Sequence, residues 1–345
     1  MTTLAVAVFT WISIKQVNSE QVLTHEGQIT DRYTAAVENL GNDSQDVRLG
    51  GVYALQRIMQ DSPRDQPAIV DVISAYVRTH ATKPKKNATV RNQQAANDVQ
   101  AAVTVLMTRD TNRDGGGQHV DLHGAYLYDV DDLRGADLHA ADLRNTDLRN
   151  TDLSNADLGD ASLRNARLYV ADLSAATLFG ADLRGVHLSG ADLSGAHLSG
   201  ADLRGAYLVN ANLAYVHAFD FDFGPRRLRS ADLRGAYISG ANLKGAELRG
   251  ANLSGTVLKG TDLSGADLRG ADLRGADLKA VDLRGSDLKG ADLRGSDLRG
   301  IPALHMGPAE IGVPALLTAR IDHTTKLPAK LAKDSRVKRA IEQAR

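Results

Sequence analysis

Residues 261–300 read TDLSG ADLRG ADLRG ADLKA VDLRG SDLKG ADLRG SDLRG. The five-residue unit A-[DN]-L-x-G runs with few lapses from Asp121 to Gly300, as in Ala181-Asp182-Leu183-Arg184-Gly185 and Ala271-Asp272-Leu273-Arg274-Gly275. A period of five fits neither regular secondary structure. In an α-helix it advances each leucine by roughly 140° beyond a full turn, so the leucines spiral around every face. In a flat strand it is odd, so successive leucines alternate between faces. The apolar residues gather only if the chain takes a short extended step and then bends, once per unit, around a leucine-filled axis. Leucine and the small residue two before it point inward, with Asp or Asn between them pointing out. The following x-Gly pair makes the bend, and glycine supplies the positive φ of a type II turn.

This pattern resembles the pentapeptide-repeat family over more than half of the chain. The resemblance implies a mainly β fold, a right-handed quadrilateral parallel β-helix with four repeats per coil. Periodicity by itself fixes only the bend. Coils then stack at about 4.8 Å, and each buried leucine contributes roughly 1.5–3 kcal/mol before entropy is subtracted. The expected organisation has an apolar segment at 1–16, an α-helical domain at 27–110, the repeat solenoid at 119–300, and a short C-terminal helical cap at 301–345.

The helical domain rests on apolar spacing: Ile29, Tyr33, Ala36, Val37 and Leu40 for a first helix, Val47 to Ile58 for a second, and Ile69 to Val77 for a third with Pro67 in its first turn. The second and third resemble a HEAT- or armadillo-type pair. A fourth helix is expected over about Asn92 to Thr108. A solenoid end exposes unpaired edges, so this domain is expected to cap the first coil, and helical pieces at Glu310 to Arg320 and Asp334 to Arg345 to seal the last. Partner binding by the same helical domain is the alternative, and homodimerisation through a solenoid end is also open.

Composition narrows the function. The formal net charge is −1, so nothing draws the whole chain to nucleic acid or to an anionic membrane. There is no cysteine, hence no disulfide framework, thiolate metal site or thiol redox centre. The apolar stretch Leu4 to Phe9 with Trp11 and Ile12 is shorter than a bilayer span and lacks a basic leader. It is expected either to tether the protein to the inner face of a membrane or to dock as an apolar helix on the next domain; the compartment expected is the cytoplasm.

Chemistry-bearing motifs are few. Asp110, Asn112, Asp114 and Asp121 fall at the first, third, fifth and twelfth positions of a calcium loop, with Asp in place of the usual final Glu and no exiting helix. The competing reading is a polar hinge. The many G-x-x-x-x-G matches follow automatically from the period, and none is followed by the Lys-Ser/Thr of a phosphate loop. The histidines form no nucleophile–base or zinc arrangement, so neither an enzyme nor a cofactor is expected.

With four repeats per coil, residues twenty apart stack. One face then reads Asp132, Asp152, Asp172, Asp192, Asn212, Asp232, Asn252, Asp272 and Asp292. Another reads Asp142, Ser162, Asp182, Asp202, Asp222, Asn242, Asp262 and Asp282, beside Arg144, Arg164, Arg184 and Arg204. The third reads Thr177, His197, His217, Tyr237 and Val257 flanked by Phe179 and Phe219, and the fourth Arg167, His187, Tyr207 and Arg227 flanked by Tyr169 and Val209. This aromatic and imidazole cluster is the candidate contact surface for a protein partner. Between Ala218 and Arg229 an arginine, Arg226, falls on an inward position, so a bulge, loop or kink is expected there. Some members of the family resembled here mimic B-form DNA and protect DNA gyrase. That mechanism needs a strongly acidic face, and the arginines and lysines after leucine largely neutralise this one. The reading is therefore a non-catalytic interaction scaffold, with gyrase mimicry and a calcium-stabilised module as alternatives.

Overall fold

The computed structural model describes residues 26–83, 95–115, 119–131, 133–218, 221–223, 226–228, 231–300 and 313–344. The apolar segment at 1–16, Phe219 and Asp132 lie outside the described residues. Contacts divide the chain into two units, Met1–Tyr76 with Asn97–Gln118, and Val77–Ala96 with His119–Arg345.

In the first unit a helix over 26–40 (α1) is followed by α2 (Gln45–Asp61), the beginning of α3 (Gln66–His80) and α4 (Asn97–Met107). Ile29, Leu40, Val52, Leu55, Ile58, Ile69, Ile73, Val99, Val103 and Leu106 are buried, while Val37 and Val47, read from spacing as core, are exposed. A Cβ at Gly51 would stand 2.9 Å from the Ala36 carbonyl oxygen, so glycine is what lets α1 approach α2. The fully buried Asp98 of α4 accepts from Arg48 Nε of α2 at 2.7 Å and from Tyr76 Oη of α3 at 2.5 Å, fastening three helices.

The second unit is a solenoid whose backbone N–H groups are spent in a fixed scheme, repeat by repeat. Around Leu183, Asp182 N donates to Ala161 O one coil back at 2.9 Å, and Leu183 N donates to Asp202 O one coil on at 2.8 Å. Gly185 N donates to Arg204 O at 3.1 Å, and Val186 N closes the corner on Leu183 O at 3.1 Å. The remaining donor, Arg184 N, is taken by the repeat's own Asp182 Oδ1 at 3.2 Å. Coils therefore pair through one residue per repeat, as parallel bridges twenty residues apart such as Asp182 with Asp202, rather than through long strands. Leucine and alanine fill the axis as the pattern requires, Leu183 and Ala181 being fully buried.

The repeat lapse is a hairpin. Strands β1 (Phe221–Phe223) and β2 (Arg226–Leu228) pair antiparallel, Phe221 opposite Leu228. Ala231 N donates to Ala218 O at 3.1 Å, the ordinary corner bond, so residues 219–230 replace the two of a normal corner. Bridges across it are thirty residues apart: Asp202 with Asp232, Tyr207 with Tyr237, Asn212 with Asn242 and His217 with Glu247. The ten added residues are half a coil, so every later repeat lies on the face opposite to the one that a constant spacing of twenty assigns. Tyr237 and Val257 stack on Tyr207 and not on His217; Asp232, Asn252, Asp272 and Asp292 continue the Asp142–Asp202 face; Asn242, Asp262 and Asp282 continue the Asp152–Asp192 face. Asp222 and Arg227 pair with each other on the hairpin and belong to no column.

At the start of this unit Tyr126 N donates to Ala81 O at 2.8 Å, and Arg78 at the end of α3 donates to Asp121 O at 2.8 Å, so residues just after the helical segment close the first rung. At the far end Arg320 and Lys326 add bridges to Asp292 and Asp297. Helices α5 (Val313–Thr318), α6 (Ala329–Lys333) and α7 (Ser335–Gln343) follow the last rungs, with Leu316, Ile321, Leu331 and Val337 buried.

Corner residues take φ near +65°, as at Gly185. Val170 occupies this corner at φ 60° with a β-branched side chain that is 66% exposed, so it holds strain with little packing in return. Val170→Asn, the residue used at the corners Asn165 and Asn210, is expected to stabilise the chain by about 1 kcal/mol in a denaturant melt. Replacing residues 219–230 with a Ser-Gly corner is expected to leave folding intact by circular dichroism, because the bridges on either side keep their partners.

Candidate interaction surface

Two of the four faces are made of aspartates and asparagines bonded within their own columns. On the Asp142 face, an arginine two residues after each aspartate folds back onto it: Arg204 Nε donates to Asp202 Oδ1 at 2.8 Å and Arg274 Nε to Asp272 Oδ1 at 2.8 Å, each with a second bond from Nη2. Guanidinium hydrogen bonds hold the carboxyls of Asp182, Asp272 and Asp292 below the usual carboxylate range. On the Asp152 face serine often replaces arginine, and amides extend the column, Asn212 Nδ2 donating to Asp192 Oδ1 at 3.0 Å and Asn242 Nδ2 to Asn212 Oδ1 at 3.1 Å.

The other two faces carry the candidate residues, distributed differently from the sequence reading. The tyrosine face runs Asp147, Arg167, His187, Tyr207, Tyr237, Val257, Asp277. Its rings stack: His187 on Tyr207 at 4.7 Å and 6°, Tyr207 on Tyr237 at 5.2 Å and 5°, with Tyr169 against His187 at 5.4 Å and its Oη 2.9 Å from His187 Nδ1. Tyr207 is 40% and Tyr237 46% exposed, beside exposed Val209. The opposite, histidine face runs Asp157, Thr177, His197, His217, Glu247, Asp267. His197 stacks on His217 at 4.7 Å, Phe179 tilts against His197 at 5.7 Å, and His217 Nδ1 lies 2.8 Å from Glu247 Oε2. The two faces thus carry separate ladders as read, with Tyr237 and Val257 moved from the histidine column to the tyrosine column. Sequence reading missed Tyr215, an exposed ring at a positive-φ corner that lies over Gly245, and Glu247 as the partner of His217. The signal for Tyr215 was a bulky residue in a glycine slot.

The calcium-spaced residues fall in both units. Asp110 accepts from Asn112 N and pairs with Arg113 at 2.8 Å; Asp114 pairs with Arg109 at 2.8 Å and accepts from Gln66 Nε2 at 2.7 Å; Asp121 pairs with Arg78 at 2.8 Å. Asp121, His123 and Asp142 also bring ligand-type atoms within 4.8 Å of one another, with Arg78 and Arg144 already against the two carboxylates.

Burial, followed by the charge of Arg167, lowers the pKa of His187; burial, followed by His217 and partly offset by Glu247, lowers that of His197. A histidine whose folded pKa lies below its unfolded value contributes stability that is complete above the unfolded pKa and is lost as pH falls from there through the folded pKa. The melting temperature is therefore expected to drop between pH 7.5 and 5.5, the unfolded value being 6.5. His197→Thr, which repeats Thr177 one coil below, should flatten that slope in melts at the two pH values. An unchanged slope in the variant would remove His197 as its source.

A family model described as pentapeptide repeats matches in eight copies, over residues 132–168, 171–208, 227–265 and 261–300. Solved structures similar to the chain include QnrB1, a plasmid-mediated fluoroquinolone resistance protein, at 22% identity over 54% of this chain and 84% of that one, with a TM-score of 0.44. They also include HetL, a pentapeptide repeat protein involved in heterocyst differentiation regulation in the cyanobacterium Nostoc sp. strain PCC 7120, at 36% identity over 54% of this chain and 92% of that one, TM-score 0.24. Rfr23, a pentapeptide repeat protein of the cyanobacterium Cyanothece 51142, is 25% identical over 44% of this chain and 89% of that one, TM-score 0.17. The curated proteins contain no match. The eight matched copies fall on the residues that form the rungs, and the chain belongs to the pentapeptide-repeat family.

Proposed function

We propose that the protein is a non-catalytic interaction scaffold, a rod of the right-handed quadrilateral form that its family implies, which presents the tyrosine face to a protein partner. The observation that carries this reading is the ladder Tyr169, His187, Tyr207 and Tyr237, half-exposed rings on a solenoid whose neighbouring faces are columns of Asp and Asn. Exposed aromatic clusters of this kind are where binding energy concentrates. The histidine face, with Phe179, His197 and His217, is the secondary surface. Gyrase mimicry draws less support, because on the Asp142 face the aspartates that would imitate phosphates are bonded to their own arginines. Calcium at Asp110, Asn112, Asp114 and Asp121 is similarly opposed by the arginines on those carboxylates.

Cytoplasmic location and a tether through residues 1–16 are further parts of the proposal; among the described residues no helix is long and apolar enough to cross a membrane. Pairing of two copies through a solenoid end belongs with them, and at the C-terminal end it would have to displace Leu316 and Ile321.

Pull-downs from the source cell should recover a partner with the wild type and lose it with Tyr207→Ser/Tyr237→Ser, while Asp172→Ser, on a different face, keeps it. Equal recovery with all three would sink the tyrosine face. Purified protein is expected to leave DNA gyrase supercoiling unchanged at micromolar concentration and low salt, and protection there would favour the gyrase reading instead. Melts with and without EGTA should coincide unless calcium is bound.

A further inference from the structure

In an ordinary repeat the N–H of the residue after leucine is taken by the aspartate two positions before it, as Arg184 N is by Asp182 Oδ1 at 3.2 Å and Ser194 N by Asp192 Oδ1 at 2.8 Å. On the tyrosine face this acceptor is absent from five successive rungs, where Arg167, His187, Tyr207, Tyr237 and Val257 stand in the aspartate position. The N–H groups of Tyr169, Ser189, Val209, Ser239 and Lys259 accordingly make no hydrogen bond within the described chain, and none of these residues is buried. They form a column of donors at the coil spacing of about 4.8 Å.

The charge of this strip also differs from the rest of the rod. Its bridge positions and the residues after each leucine hold the cations Arg167 and Lys259 and no acid from 167 to 260. Lys259 lacks the aspartate that would have neutralised it in its own repeat, and Arg167 reaches Asp147 only at 3.7 Å. Stacking occupies the ring faces of His187, Tyr207 and Tyr237, which leaves ring edges outward, and the edge is the positive part of an aromatic quadrupole. Donors, cations and ring edges all favour a negatively charged oxygen. We propose that the tyrosine face binds an acidic segment of a protein partner, whose carboxylates supply in trans the acceptors that aspartate supplies in cis elsewhere on the rod. Two cations are too few for the phosphate neutralisation on which nucleic-acid affinity depends, so a polypeptide is the better fit. The inference deepens the scaffold reading and rests on it.

The test uses the full chain with two fluorescein-labelled peptides, one Glu/Ser and one Gln/Ser of the same length. The Glu peptide should bind in fluorescence anisotropy, with the Gln peptide weaker by about tenfold or more. Its addition should move the amide resonances of Ser189, Val209 and Ser239. Tyr207→Asp/Tyr237→Asp and Tyr207→Asn/Tyr237→Asn restore the repeat's own acceptors, so both should stay folded by circular dichroism and both should lose binding by about tenfold. Tyr207→Phe/Tyr237→Phe keeps rings and free donors and should retain it. Equal affinity for the two peptides, stationary amides, or full binding by the Asn pair would overturn the proposal, as would a DNA duplex that displaces the Glu peptide. If the native partner is lost with the serine variants while the Glu peptide never binds, the acidic-segment inference fails and the scaffold reading stands.

Discussion

The rod depends on one backbone arrangement, in which each repeat donates one hydrogen bond to the coil below, two to the coil above and one back to the leucine of the preceding repeat, and keeps the last within itself. Asp182 N, Leu183 N and Gly185 N reach the neighbouring coils, while Val186 N closes the corner and Arg184 N turns to Asp182. Two consequences follow. Leucines stack on leucines because their own N–H groups are tied to the next rung, so the buried axis is a by-product of the pairing as well as its main stabiliser. Outward side chains stack as well, because the residue before each leucine is the bridge residue. Ring ladders and amide ladders are what that forced stacking makes of Tyr, His and Asn. Offset ring pairs add about 0.5–1.5 kcal/mol each beyond area burial.

The same accounting reassigns the aspartates. Read as a surface, they are columns of charge; read as acceptors, they are parts of the backbone scheme, each filling the donor that the corner leaves open. Arginine two residues later then bonds to the same carboxylate, as Arg294 does to Asp292. A face built this way presents little net field to a partner. Where aspartate is replaced, the loss is therefore double: a negative charge goes, and a backbone donor is released. The change from Asp147 to Arg167 and on to Tyr207 along one column is a change in hydrogen-bonding capacity as much as in hydrophobicity.

The solenoid and its inward residues were legible in the sequence because leucine and alanine repeat in phase with the bend. The faces were legible only up to Ala218. An insertion of ten residues preserves the phase within a repeat, since ten is twice five, yet it projects from one corner and shifts the numbering of every later face by half of a twenty-residue coil. Periodicity is blind to that shift. It is why Tyr237 reads as a neighbour of His217 and stands on Tyr207, leaving histidines alone in one ring ladder and joining the tyrosines in the opposite one. The helical segment was legible for a similar reason and blurred for another. Val52, Leu55 and Ile58 mark their helix by spacing, but Val37 and Val47 are exposed because burial depends on which neighbours arrive, and spacing does not encode that.

The hairpin leaves the surface of the solenoid continuous. Because Ala231 N makes the ordinary corner bond to Ala218 O, the insertion projects from one corner and the rungs on either side meet as they do elsewhere. Tyr237 lands on Tyr207, Asn242 on Asn212 and Glu247 on His217, three side-chain interactions of different chemistry completed across it. The column of open donors likewise passes from Val209 to Ser239 without a break. The ten residues displace the numbering of the faces and not the faces themselves, so the pairing that decides the surface is set by the corner bond and not by the length of what projects from it.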